Sequence, residues 1–216
     1  NFQNEINYIN VVAKVTAFSA DWERYDAQVL IMNRQQSFLI NCPFEPVYWS
    51  FDFDDLISDA VTTDWAVISE NTPITMSQGM MKNVTANVPS GDSILLRVEH
   101  HWAPADGSYG APDGAVISRQ RYWTVDGIWE DSIELSSEIT YSGLTTNSSD
   151  FGYLDNELIR ITEDSLVLLY RPNGVSPWEV YADYTKNTGS LFDKRGIIRI
   201  DKLKKGQYTL AMYDAS

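Results

Sequence analysis

The sequence predicts an all-β protein built as two tandem antiparallel β-sandwich domains of immunoglobulin-like or fibronectin-like type. Three observations carry this. Runs rich in Val, Ile, Thr, Tyr and Phe recur along all 216 residues. Turn clusters punctuate them, at Pro89-Ser-Gly-Asp92, Asp106-Gly, Asp113-Gly, Asp126-Gly, Asn173-Gly and Lys205-Gly. Sustained helical periodicity is almost missing, so the short strands read as sandwiches and not as a βα alternation.

Taken in order, Tyr8–Phe18, Ala27–Met32, Ser37–Cys42 and Val47–Phe53 are the first strand candidates, each dense in β-branched or aromatic residues. Asp54–Thr63 is the one stretch with helical spacing; Leu56, Ile57, Ala60 and Val61 cluster on one side, so it reads as a short helix or a loop. Ala66–Ser69 and Val84–Val88 flank Ser69–Asn83, the segment weakest in strand pattern. A boundary placed there divides the chain into domains 1–82 and 83–216. Ile94–Trp102 and Arg119–Val125 frame a loop rich in Gly, Pro and Asp. In Ser132–Tyr141 strict alternation puts Ile133, Leu135, Ser137, Ile139 and Tyr141 on one face. Leu158–Ile161, Ser165–Arg171, Glu179–Tyr184, Gly196–Ile200 and Tyr208–Tyr213 complete the set. The last follows Leu203-Lys-Lys-Gly206, the pattern of a tyrosine corner: Tyr208 bonds back to the backbone and Leu210 enters the core.

Composition narrows the function. The formal charge is −14, and both halves share it: residues 1–82 hold 4 basic and 11 acidic side chains, residues 83–216 hold 12 and 19. Such a surface repels phosphate backbones and argues against nucleic acid as a partner. The basic cluster Lys194, Arg195, Arg199, Lys202, Lys204 and Lys205 reads as a solvated strand edge and turn. No apolar run is long enough to span a bilayer. Cys42 is the single cysteine, so no internal disulfide forms and the core must hold the fold. The chain starts at Asn1 without methionine or signal peptide, which reads as a processed or excised piece.

The block Leu95–Trp129 holds both histidines and three of the seven tryptophans. His100 and His101 are adjacent on a strand and must point to opposite faces, so they cannot share a metal. By the same rule Glu99 faces away from His100. No His-Glu-x-x-His helix, Gly-x-Ser-x-Gly elbow or phosphate-binding glycine loop is present. No residue is nominated as catalytic or as a metal ligand, and no cofactor is expected. Asp52, Asp54, Asp55 and Asp59, and Asp106 with Asp113, are weak candidates for structural calcium; neither set has the spacing of a known loop. Trp102, Trp123, Trp129 and Trp178 lie near predicted turns, where surface indoles stack on sugars, although core and seam are the commoner places for tryptophan. Asn83-Val-Thr85 and Asn147-Ser-Ser149 match the glycosylation pattern.

Several blocks carry a resemblance. Pro46-Val-Tyr-Trp-Ser-Phe-Asp-Phe-Asp-Asp-Leu-Ile-Ser-Asp59-Ala resembles a segment of the β-sandwich region behind the catalytic domain of aminopeptidase-N-like zinc metallopeptidases. Leu96-Arg-Val-Glu-His-His-Trp-Ala-Pro, Tyr122-Trp-Thr-Val-Asp-Gly-Ile-Trp129, Glu163-Asp-Ser-Leu-Val-Leu-Leu-Tyr-Arg-Pro172 and Gly206-Gln-Tyr-Thr-Leu-Ala-Met-Tyr-Asp214 resemble the C-terminal extension of secreted bacterial members. The family's zinc motif, downstream glutamate ligand and Gly-x-Met-Glu-Asn motif have no match here. The resemblance therefore implies a non-catalytic accessory module, secreted, periplasmic or cell-surface, whose partner is the catalytic domain of a parent chain or another protein. The alternative expectation is a secreted module that binds polysaccharide through surface tryptophans. A carboxylate-pair glycosidase on a sandwich is a third.

Overall fold

The computed structural model describes residues 10–33, 36–57, 59–105, 110–145, 154–190 and 192–213. Every regular element among them is a strand, and every pairing is antiparallel. The chain forms two compact units, Asn1–Asp59 and Ala60–Ser216. The division expected between residues 82 and 83 falls inside a strand, Met81–Ala86, that pairs on both sides within the second unit. The weak pattern of Ser69–Asn83 hides a short strand there, Ile74–Met76.

In the first unit, β1 (Val11–Phe18) lies between β2 (Arg24–Ile31) and β3 (Tyr48–Phe51). Cross-strand partners share a face, so Lys14, Thr16, Phe18, Arg24 and Asp26 lie together. Phe18 packs against Phe53 at 5.1 Å, and the Arg24 guanidinium lies 5.2 Å from the Phe53 ring. The expected strand Ser37–Cys42 does not form. The Gln36 carboxamide instead takes the Leu30 carbonyl and the Met32 N–H at the β2 edge, both at 3.0 Å. The chain leaves the sheet there, and Leu39 is 93% exposed. Asp54–Thr63 is not a helix either. The Asp52 carboxylate accepts from the N–H groups of Leu56 and Ile57 at 3.0 and 2.9 Å and closes a turn.

The second unit pairs two sheets. One runs β11 (Glu179–Val180), β10 (Leu166–Arg171), β14 (Gly206–Met212), β8 (Val116–Ile128), β7 (Ile94–His101), β4 (Val61–Ile68). The other runs β12 (Tyr184–Asn187), β13 (Arg195–Ile200), β9 (Leu135–Ser142), β6 (Met81–Ala86), β5 (Ile74–Met76). One core joins them. Leu96, Val98, Trp123, Val125, Tyr208 and Leu210 from the first sheet pack with Leu135, Ile139, Tyr141, Ile198 and Ile200 from the second. The alternation read in Ser132–Tyr141 is the inward face of β9. Tyr208 is fully buried; its hydroxyl accepts from the Lys204 N–H at 2.8 Å and lies 3.0 Å from the Lys204 carbonyl. Glu179–Tyr184, read as one strand, is split between the two sheets. Leu158–Ile161 is no strand: the N–H groups of Leu158 and Ile159 both reach the Asp155 carbonyl, and this turn drops the two side chains into the core.

Candidate functional site

The polar face of the β7–β8 hairpin is the richest chemical constellation among the described residues. Alternation places Leu96, Val98 and His100 on the core side of β7, and Arg97, Glu99 and His101 on the outer side. The register sets Arg97 opposite Asp126, Glu99 opposite Thr124 and His101 opposite Tyr122. Gly127, at φ +144°, lets the chain pass so close to the Leu95 carbonyl that no side chain fits.

Glu99 is the hub of this face. Arg97 Nη1 donates to its Oε1, and His101 Nε2 lies 3.2 Å from its Oε2. Burial pushes the Glu99 carboxyl up, but the His101 hydrogen bond and the Arg97 guanidinium outweigh it and hold the group below its usual range. His101 Nε2 also meets Thr124 Oγ1 at 3.0 Å, and the imidazole stacks on Tyr122 with centroids 4.0 Å apart and planes 5° from parallel. Asp126 moves the other way: burial raises it despite the Gly127 N–H at 2.8 Å and the charges of Lys205 and Arg97. The histidine geometry forms no catalytic triad, because carboxylate and hydroxyl share one ring nitrogen where a relay needs both.

His100 enters the core. It is fully buried between Trp102, at 4.4 Å edge-on, and Trp123, at 5.2 Å. Neither ring nitrogen meets a hydrogen-bond partner among the described residues. Burial, then the charges of Arg121 and His101, lower its pKa to about 3, so it is neutral in the fold. Arg121, two residues before Trp123 on the same inward face, lies 4.7 Å from that indole and donates to both Asp155 oxygens at 2.9 and 2.7 Å. Asp155 also accepts from the Ser142 N–H at 2.9 Å.

The nominated tryptophans separate. Trp123 is core, and Trp178 is 2% exposed, packed with Leu169 and Ala211 and covered by the Arg171 guanidinium at 4.3 Å. These two cannot serve as a binding surface, because the inner and outer faces of the six-stranded sheet consume them. Trp129 packs partly on the core under Lys205, whose ammonium lies 4.6 Å from its ring. Only Trp102 is a surface residue, 43% exposed, with Nε1 donating to Thr62 Oγ1 at 3.0 Å. Trp49 and Trp65, not nominated, are equally open at 41% and 45%; a strand interior gave no turn signal to single them out.

Of the weak calcium candidates, two are committed elsewhere and one lies outside the described residues. Asp54 holds Lys14 at 2.7 Å and Arg24 at 2.5 Å, Asp52 closes its turn, and Asp106 is outside. Among the described residues, no group of three or more His, Cys, Asp or Glu is arranged to hold a metal ion. Asn83 donates to Glu138 at 2.6 Å, whereas Asn147 is outside. In the basic cluster, Arg199 pairs with Asp201 at 3.1 Å and Lys204 lies 3.8 Å from Asp183. An open cleft of about 320 Å³ over β6 and β9 is lined by Asn71, Thr85, Asn87, Glu134, Ser136 and Arg199, with no aromatic ring on which a sugar could stack. No described helix is long and apolar enough to cross a membrane. Comparison of the chain with protein-family models, with curated proteins and with solved structures finds no match.

Proposed function

We propose that the chain is a non-catalytic accessory module of tandem immunoglobulin-like sandwich type, working outside the cytoplasm by packing against another protein. Following the resemblance in its sequence, the partner is the catalytic region of a zinc-aminopeptidase-like enzyme. The distribution of apolar surface supports this reading. Among the described residues, nine of the nineteen exposed large hydrophobic side chains belong to the first unit, including Val12, Leu30, Val47, Trp49 and Phe51. Three strands are near the lower limit for independent stability. Trp49 and Phe51 lie on one side of this sheet and Val12 with Leu30 on the other, and the bare aromatic pair on so small a sheet marks a docking face.

Trp49 and Phe51 share one face of β3 and are 41% and 50% exposed. Trp49→Ser with Phe51→Ser is expected to leave the melting temperature within about 2 °C, as surface changes do. It should also remove most of the ANS fluorescence of the folded chain. A drop of 10 °C or more on the order of a core change would place these side chains in the fold and remove the docking face.

A second reading, polysaccharide binding, is favoured by Trp102, whose exposed indole is fixed by its bond to Thr62. It requires polysaccharide to quench tryptophan fluorescence in the parent protein and not in Trp102→Ala.

A further inference from the structure

One edge of the second unit is closed by a cluster that the proposed function does not use. Glu163 precedes β10 and is fully buried. Its Oε1 accepts the Tyr141 hydroxyl of β9 at 2.9 Å, and its Oε2 is buried with no hydrogen-bond partner among the described residues. Lys186, on the edge strand β12, projects inward opposite the core residue Ile198. Its ammonium donates to the carbonyls of Glu163, Asp164 and Leu166 at 2.7, 2.7 and 3.0 Å. These bonds tie the edge of the five-stranded sheet to the turn that starts β10 in the six-stranded sheet. Tyr141 is held in place by Gly196, where even a Cβ would collide with its hydroxyl.

We propose that Glu163, Tyr141 and Lys186 form a proton-gated latch between the two sheets, closed while Glu163 is protonated and released when it ionises. An ammonium has three donors, and Lys186 has spent all of them on carbonyls. A buried carboxylate needs a partner far more than a neutral carboxyl does. The charged and titratable groups facing Glu163 are Tyr141 on β9, Lys186 on β12, Asp164 in its own turn and Asp193 before β13. The two aspartates repel a new negative charge; the Tyr141 hydroxyl already donates to one oxygen, so Oε2 is left to Lys186 or entering water. Lys186 cannot serve the carboxylate and keep all three carbonyls. In support, burial is the largest of the influences that raise Glu163 to about 7.

The sign follows from linkage. The closed form holds a proton that the open form, with an ordinary carboxyl, gives up above about pH 4.5. Opening therefore becomes about tenfold easier per pH unit up to about 7, then levels off.

Native-state hydrogen exchange by NMR, corrected for intrinsic rates, tests this on the intact chain. Protection of Leu166 and of the β12 amides should fall about tenfold per unit between pH 5 and 7, while the amides of β7 and β8 follow no such slope. Glu163→Gln should abolish the slope. If Glu163→Gln does not fold, the Glu163 side-chain carbon of the parent protein is titrated instead. A midpoint near 7 supports the latch, and one near 4.5 overturns it. Protection of β12 that is flat with pH, or a slope that persists in Glu163→Gln, also overturns it.

Discussion

Arg121→Met is expected to destabilise the second unit by about 3–5 kcal/mol, the usual cost of stripping one partner from a buried ion pair. Arg121 and Asp155 are both fully buried and joined by two hydrogen bonds. Without the guanidinium, Asp155 keeps the Ser142 N–H but no counter-charge among the contacts described here. Asp155 must then take up a proton or draw in water. The Thr140 carbonyl loses its donor, now at 2.8 Å, and the Trp123 face loses its cover. Arg121→Met combined with Asp155→Leu should recover most of it, since well-packed apolar replacements of buried pairs are often neutral. Urea denaturation of the three variants checks this; a single-variant loss below about 1 kcal/mol would mean the pair is hydrated and not part of the core.

The second large effect is on acid stability. His100 must be neutral in the fold, with a pKa near 3, whereas the unfolded chain protonates it below about 6.5. The unfolded state therefore binds more protons between pH 6.5 and 3. The stability that His100 allows is complete above 6.5 and is lost as the pH falls, by about 4 kcal/mol at pH 3. Glu163 acts in the opposite sense. Its folded pKa of about 7 means that stability falls as the pH rises from about 4.5 to 7, by about 3 kcal/mol. The two slopes cancel between about pH 4.5 and 6.5 and leave a plateau. Removing either group uncovers the other: His100→Phe should grow more stable from pH 6.5 down to 4.5, and Glu163→Gln less stable over the same range. Denaturation midpoints at four pH values decide it, and parallel profiles in parent and variants would remove both residues from the account.

What the sequence revealed follows from local physics. Alternation marked the inward face of β9 and sent His100 and His101 to opposite sides. The corner pattern ahead of Tyr208 carried its own backbone bond. What it concealed depends on partners distant in the chain. Arg121 and Asp155 are 34 residues apart, and neither stands out locally. Glu99 faces His101 and not His100, and the i, i+2 spacing of Arg97, Glu99 and His101 is the signal in the sequence for this site. Ser37–Cys42 and Leu158–Ile161 are apolar enough for strands, but the first has no ladder partner among the described residues and the second is bent by Asp155. Trp123 and Trp178 looked like surface candidates because a turn stands near each in sequence; the sheet faces on which they fall decided otherwise.

Hydrolysis by the isolated chain, assayed with aminoacyl anilides and aryl glycosides with zinc added, tests the accessory-module account most directly. No turnover above that of Glu99→Gln, His101→Ala and Asp126→Asn variants is expected. Turnover by the parent chain that any of these substitutions abolishes would contradict it, and would make the outer face of the β7–β8 hairpin an active site.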